Sequence, residues 1–330
     1  MPDDKIFPEN KTDNRDKNAF GKTLERRRFM MMMGVLPATG FIAATTKDAW
    51  ALSNQVEITK RGQYRYISAN GIPNHDTGLF PNRGNPNSIQ SQQYKFRVPI
   101  TPRVRSRAQE VGFNSFGVAL NGVPFDPAAN EFWKRDRNSG WRYEAMSGKV
   151  NLGLDKNNAH VQPNGAYHYH GLPTGLIKRW SDSQHSPIIG YAADGFPIYV
   201  LYGHRVPADN NTTIIALASS YRLKPGFRVG SGPGGKHDGT FVQDYEYLAG
   251  SGDLDDCNGR QCVTPEYPEG TYAYFLTSDY PLIPRLFRGE PDASFKKHRG
   301  GPGGGPGGGP GGHRPKPGSG GRPPKPRYKL

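Results

Sequence analysis

Short runs of aromatic and β-branched residues, separated by glycine, proline and asparagine, make up most of the chain after residue 52. Such runs between turn residues are typical of strands, and long helical periodicity is scarce. In the run Tyr167 to His170, period-two alternation places His168 and His170 on one face and the two tyrosines on the other. The pattern predicts an all-β, loop-rich, β-sandwich-like domain with many Gly/Pro turns over residues 52–295.

One turn pattern occurs three times, as Asn70-Gly71-Ile72-Pro73, Asn121-Gly122-Val123-Pro124 and Asp194-Gly195-Phe196-Pro197. Asn-Gly and Asp-Gly form tight turns, and the following proline returns the chain to an extended conformation. We therefore expect strands on either side of these turns.

A second pattern relates residues 163–170 to residues 268–275, where Ala273 and Phe275 replace the two histidines. It predicts two equivalent strands, of which only the first carries possible ligands. Because the intervening lengths do not repeat, we interpret the likeness as a common turn–strand solution rather than an internal duplication.

The N-terminal segment has the features of an export signal. Arg26 and Arg27, followed by Phe29 and the apolar run 30–44, match the twin-arginine pattern, and Ala49-Trp50-Ala51 is a small-x-small cleavage site. A membrane anchor is the alternative, but this run is shorter than the ~20 residues that cross a bilayer. We predict a cleaved signal over residues 1–51, read by the twin-arginine export machinery. The mature chain is then periplasmic or secreted, without a transmembrane span.

The formal charge of +14 is unevenly distributed. Nine Lys and Arg residues and no acids lie between Lys296 and Leu330, in a stretch dominated by Gly and Pro. Such a segment cannot bury apolar area, so a disordered tail is predicted over residues 296–330. The tail is either a spacer or a contact for an anionic envelope polymer. It lacks interleaved aromatic residues, so no specific nucleic-acid partner is predicted.

His168 and His170 are candidate metal ligands, since two imidazoles on one strand face can converge on one ion. Copper or zinc needs at least one further ligand. His160 is the first choice, because the turn at residues 163–165 can bring it back beside the strand. His75 is next, followed by His185 and Asp194. For each of these residues, the alternative is an ordinary hydrogen-bonded polar side chain.

The two cysteines, Cys257 and Cys262, are separated by four residues, which does not fit a C-x-x-C redox or zinc pair. Because export leads to an oxidising compartment, a short loop disulfide is predicted. A free thiol is the alternative.

The same region contains a polar cluster that suggests a second kind of ion. Oxygen ligands at alternate positions of a glycine-bearing loop suit calcium, although this spacing does not fit an EF-hand. The alternative is a polar loop. The candidate residues are Asp253, Asp255, Asp256 and Asn258.

The stretch from Asn70 to Phe295 resembles the YHYH-domain family. The resemblance rests on NGIPNH (70–75), NGVPFDP (121–127), AHVQPNGAYHYHGLP (159–173), IGYAADGFPIY (189–199) and DLDDCNGRQCVTPEYPEGTYAYFLT (253–277). It implies a secreted or envelope-associated domain and implies no particular activity.

The sequence thus predicts an exported protein with a mononuclear copper or zinc site at His168, His170 and a third ligand. Whether it is an enzyme stays open, since it has no G-x-S-x-G elbow, P-loop or H-E-x-x-H motif. The alternative is a non-enzymatic envelope module that binds glycan or an anionic polymer. The metal hypothesis requires at least three candidate ligands to meet at one point.

Overall fold

The computed structural model describes residues 53–178 and 180–297. The predicted export signal, and the tail from residue 298 onward, lie outside these residues. Within them, strands and turns dominate, and the single α-helix, α1, is one turn long at Thr174–Ile177. The predicted all-β, loop-rich fold is confirmed. Short 3-10 turns occur at Trp133–Arg135, Arg137–Ser139, Val242–Asp244 and Ala293–Phe295.

The strands form one large sheet and several small ones. An antiparallel three-stranded sheet contains β1 (Val56–Arg61), β2 (Tyr64–Ala69) and β3 (Tyr94–Pro99). The other strands in chain order are β4 (Gln109–Glu110), β5 (Gly117–Ala119), β6 (Pro124–Phe125), β7 (Ala159–Val161), β8 (Tyr167–Tyr169), β9 (Gly190–Ala192), β10 (Pro197–Val200), β11 (Tyr202–His204), β12 (Ile214–Ala216), β13 (Tyr221–Leu223), β14 (Tyr245–Tyr247), β15 (Gly259–Thr264), β16 (Tyr267–Leu276) and β17 (Leu286–Phe287). The large sheet has the order β15-β16-β10-β9-β5-β6-β8-β7, while β11-β12, β13-β14 and β17-β4 pair separately.

The main core lies on one face of the eight-stranded sheet. There Tyr167, Tyr169 and Tyr274 pack in one cluster with Ile67 and Phe96 of the three-stranded sheet. A smaller apolar cluster lies on the other face, where Tyr199, Ala273 and Phe275 alternate with the core residues of β10 and β16 and pack with Leu217. The two sheets therefore share a sandwich-like core. The opposite face of the large sheet carries the smaller cluster in the region of β10 and β16.

The strand order of the large sheet reads symmetrically about the β9–β5 pair. In the first half, β5 pairs with β6, β6 runs parallel to β8, and β8 pairs with β7. In the second half, β9, β10, β16 and β15 make the same three contacts in the same order. Residues 117–126, 155–161 and 167–170 correspond to residues 190–199, 255–261 and 272–275, with identical register at every paired position.

The turns agree with this correspondence. The side chains of Asn121 and Asp194 each accept a hydrogen bond from the backbone N–H two residues later. The glycine that follows has a positive φ, 80° at Gly122 and 94° at Gly195, which a glycine adopts without strain. Asn70 makes the same turn beside β2, which accounts for the third copy of the motif.

The domain is therefore built from two equivalent halves. Our interpretation of the likeness between residues 163–170 and 268–275 as a common turn–strand solution is wrong. The intervening lengths differ because the second half carries β11 to β14 between β10 and β15, whereas the first half has no strand between β6 and β7. An insertion of this size hides the repeat from a search for a fixed period.

The predicted disulfide is also wrong, because Cys257 and Cys262 are both buried free thiols. Cys257 packs in the main core with Tyr272, whereas Cys262 packs in the smaller cluster with Phe275. Because Tyr272 and Phe275 lie on opposite faces of β16, the two sulfurs point to opposite sides of the sheet.

Among the described residues, no helix is both long and apolar enough to span a membrane.

Candidate metal centre

The hairpin β7–β8 positions the candidate ligands. The turn before it is organised by Asp155, whose carboxylate accepts hydrogen bonds from the backbone of Asn157 at 2.8 Å and from the hydroxyl of Tyr167 at 2.7 Å. At the other end of β8, the backbone N–H of His170 donates to the carbonyl of Asn158 at 2.7 Å. These contacts fix the hairpin register, in which His160 lies directly opposite His168.

The tyrosines of this strand anchor it from the core side. Tyr167 and Tyr169 are fully buried, and the Tyr169 hydroxyl contacts Asn121 Nδ2 at 3.0 Å and His75 Nε2 at 2.6 Å. His75 therefore lies on the tyrosine face and supports the strand from the side opposite His168. The predicted alternation of the two residue types along the strand is thus present in the structure.

His160, His168 and His170 converge on the other face. The Nε2 atom of His170 lies 3.0 Å from Nε2 of His168 and 3.1 Å from Nε2 of His160. The three ring centroids are 4.6, 4.7 and 4.8 Å apart, and the ring planes are inclined by 62°, 73° and 66° to one another. The imidazoles thus form a nearly regular three-bladed propeller with their Nε2 atoms at its centre, which we call the histidine triad.

Backbone carbonyls orient two of these rings. His160 Nδ1 lies 2.8 Å from the carbonyl oxygen of Leu152, and His168 Nδ1 lies 3.1 Å from that of Ala166. Because a carbonyl only accepts, each Nδ1 carries the proton and each Nε2 presents a lone pair. Two lone pairs are therefore aimed at the centre of the triad. This is the arrangement by which proteins hold histidine ligands to a metal.

The donor spacing also fits a transition metal. With Nε2–metal bonds of 2.0–2.1 Å, tetrahedral geometry separates two histidine nitrogens by about 3.3 Å. The separations of 3.0 and 3.1 Å in the triad are within a few tenths of an ångström of that value. Three imidazole nitrogens suit copper and zinc and leave further coordination positions open.

The surroundings keep all three histidines neutral. Burial lowers the pKa of His168 and His170 well below 6.5, and the neighbouring imidazoles and Lys297 act in the same direction. Burial also lowers the pKa of His160, although the Leu152 carbonyl opposes it. These lowered pKa values leave the three imidazoles deprotonated at neutral pH. The neutral imidazole is the form that binds a metal.

A buried carboxylate lies beside the triad. Asp126 Oδ2 is 4.0 Å from His168 Nε2, forms an ion pair with Lys297 Nζ, and accepts a hydrogen bond from Gln162 at 3.3 Å. Burial raises the pKa of Asp126, and Lys297 opposes this effect. The triad and this ion pair open together onto a cleft of about 530 Å³ that Asn130 and Glu131 also line.

The second half of the domain shows which residues serve the fold and which serve the site. Asp255 and Tyr272 make the same hydrogen bond as Asp155 and Tyr167, so this contact is structural in both halves. All four polar positions of the site differ. In the second half they are occupied by Tyr199, Arg260, Ala273 and Phe275, in place of Asp126, His160, His168 and His170.

The comparison with protein families found a match that covers both halves of the sheet. The profile of the family described as YHYH protein matches residues 95–289, which is more than half of the chain. The chain belongs to the YHYH protein family. Neither the curated proteins nor the solved structures contain a match.

The matched YHYH region contains both halves of the sheet. Two of the predicted ligands belong to its second half or pack against it. Asp194 is buried, accepts a hydrogen bond from Tyr274 at 2.5 Å, and its pKa is raised by burial to about 6. His185 packs against Tyr199 and His204 at ring distances of 5.0 and 5.3 Å. Neither residue is part of the triad.

The candidate calcium residues form the turn of the second YHYH half. Asp255 accepts from the backbone of Cys257 at 2.9 Å, and both Asp255 and Asp256 pair with Arg288. Asp253 accepts from the backbone of Ala218 at 2.8 Å. The guanidinium thus already lies beside the carboxylates that a cation would use. Asn258 donates to the Phe275 carbonyl, as a structural residue of this turn.

Sequence reasoning did not identify Asp126 or Lys297 as parts of the YHYH site. An alignment of NGVPFD (121–126) with DGFPIY (194–199) pairs Asp126 with Tyr199 and would have identified the aspartate as a residue that differs between the halves. Lys297 is separated from Asp126 by 171 residues and has no local signal.

Proposed function

We propose that this chain is an exported metal-binding protein in which Nε2 of His160, His168 and His170 holds one copper or zinc ion. The observation that carries the proposal is the convergence of three neutral imidazoles, two of them oriented by carbonyls, in one half of a duplicated sheet. The other half retains the scaffold and carries none of these histidines, so the fold itself does not require them.

The protein's own residues also shape what such a centre would do. When bound, the ion would supply a Lewis acid with an open coordination position. The triad is buried on the strand side, so a ligand approaches through the cleft beside Asn130 and Glu131. There it meets the ion pair of Asp126 and Lys297, which places one carboxylate and one ammonium next to the centre.

The export part of the proposal rests on the twin-arginine pattern at Arg26 and Arg27. That route carries folded proteins, often with a cofactor already in place, which suits a site whose three ligands meet only once the β7–β8 hairpin has formed. We propose that the metal is acquired before export.

The test is metal content by mass spectrometry after export through the protein's own leader, followed by titration of the metal-stripped protein with Zn²⁺ and Cu²⁺. The double variant His168→Ala/His170→Phe introduces the residues of the second half. The control variant His237→Ala removes a histidine outside the triad. We expect about one equivalent bound by the wild type and the control, and none by the double variant. A wild type that takes up neither metal, or a double variant that binds as well, would refute the proposal.

A further inference from the structure

The triad lies at the edge of a strongly basic surface. Three clefts of about 850, 520 and 530 Å³ adjoin one another, and Asn130 lines all of them. The basic side chains that line these clefts define what we call the basic trench. They are Lys95, Lys134, Arg135, Arg137, Lys149, Lys296 and Lys297.

The positive charge of the trench is largely uncompensated. The acidic residues lining the three clefts are Asp126, which is paired with Lys297, and Glu131. Within residues 53–178 and 180–297, no carboxylate lies within ion-pair distance of the other six basic residues. Such a concentration of one charge along a concave surface attracts anions.

The backbone of the trench supports a functional role. Lys134 and Arg135 are consecutive non-glycine residues with φ of 55° and 60°, and both side chains are exposed. Left-handed conformations are uncommon for residues with a Cβ, and their cost is tolerated where a site requires it. The chain thus presents two adjacent cations in a conformation that the sequence alone does not favour.

Among the described residues that line the trench, Phe113 is the one exposed aromatic side chain, at 39%, and the others are buried or half-buried. The guanidinium groups of Arg142 and Arg137 lie 5.3 and 5.6 Å from the ring centroid of Phe113. Phe96 is stacked between Tyr94 and Phe295, at centroid distances of 5.1 and 4.4 Å. Single-stranded nucleic acids stack successive bases on several aromatic side chains, and one exposed ring does not provide such a series.

The polar lining suits a hydroxyl-rich ligand instead. Carboxamide side chains both donate and accept hydrogen bonds, which matches the hydroxyls of a sugar. The amides that line the largest cleft are Gln93, Asn114, Asn130, Gln162 and Asn164.

We infer that the basic trench binds an acidic polysaccharide chain, with its anionic groups on the lysines and arginines and its hydroxyls on the amides. The inference rests on the proposed function only in placing this ligand beside a metal centre, and it names the class of substrate that would reach that centre. Binding of the polysaccharide itself requires no metal.

The experiment uses the full chain and fluorescently labelled oligogalacturonate, measured by anisotropy at low salt. The variant Arg135→Glu/Arg137→Glu reverses two exposed cations of the trench. The matched control Lys60→Glu/Arg61→Glu makes the same change of net charge on β1, outside the three clefts. We expect the trench variant to weaken binding at least about tenfold and the control to change it little.

Neutral oligosaccharide and single-stranded DNA of the same length serve as further probes. Equal loss in both variants would assign binding to net charge or to the tail and overturn the inference. So would undetectable oligogalacturonate binding, equal affinity for the neutral sugar, or tighter trench-dependent binding of DNA. Repeating the titration with His168→Ala/His170→Phe separates the two proposals. Trench-dependent binding by this variant would show that the polysaccharide needs no metal. A wild type that takes up neither metal but still binds through the trench would retain this inference while refuting the metal centre.

Discussion

The metal-free protein is expected to lose stability steeply as the pH falls from 7 to 5. His168 and His170 are each 3% exposed, and their pKa values in the folded chain lie well below the unfolded value of 6.5. Below pH 6.5 the unfolded chain therefore binds protons that the folded chain does not. Stability from these residues is fully present above pH 6.5 and is lost as the pH falls.

The magnitude follows from proton linkage. A histidine that stays neutral when folded and titrates at pH 6.5 when unfolded costs about 2 kcal/mol between pH 7 and pH 5. The two buried histidines together therefore cost about 4 kcal/mol, and His160, whose pKa is also lowered, adds to this. This is a large share of the 5–15 kcal/mol that stabilises a typical domain.

The assay is urea unfolding of metal-stripped protein at pH 7 and pH 5, with His168→Ala/His170→Phe measured in parallel. Asp194 and Asp126 have raised pKa values and contribute in the opposite direction, because their folded forms take up protons first. They are present in both proteins, so their contribution largely cancels in the comparison. The wild type should lose about 4 kcal/mol more than the variant over this range. Equal losses would show that these histidines do not resist protonation in the folded chain, and would refute the reasoning.

Three further predictions concern the scaffold. Tyr274→Phe removes the hydroxyl that donates to buried Asp194. It should lower the free energy of unfolding in urea by about 1.5–3 kcal/mol and raise the pKa of Asp194 above about 6, and an unchanged unfolding midpoint would contradict this. Asp155→Asn should weaken zinc binding by about 10–100-fold in a metal titration, whereas the equivalent change Asp255→Asn in the second half should leave zinc binding unchanged. Equal effects of the two variants would mean that the hairpin turn does not position the triad. Thiol titration of the unfolded, unreduced protein should find two thiols per chain, and finding none would restore the disulfide.

Local pattern was enough to predict the site's central part. The alternation along Tyr167 to His170 gave the two faces, and the turn at residues 163–165 does return His160 to a position opposite His168. These are contacts within one hairpin, where strand period and turn geometry decide the outcome. Metal binding itself stays a prediction.

The rest of the site depends on contacts that are distant in sequence. Lys297 reaches Asp126 because the segment before it is anchored on β3, where Phe295 stacks on Phe96 and Asp292 pairs with Arg97. The duplication was missed for a related reason, since the unequal insertions obscure a repeat that the strand pairing preserves. The disulfide failed because close spacing says nothing about which face of the sheet each sulfur occupies.

Because of the internal repeat, the protein contains a second copy of the scaffold that lacks the residues of the site. Tyr199, Arg260, Ala273 and Phe275 occupy the same strand positions as the site, on a scaffold with the same turns and register. A chain in which these four became Asp, His, His and His would present two histidine triads on one sheet. Comparing their affinities would separate what the four side chains supply from what the clefts around the first half add.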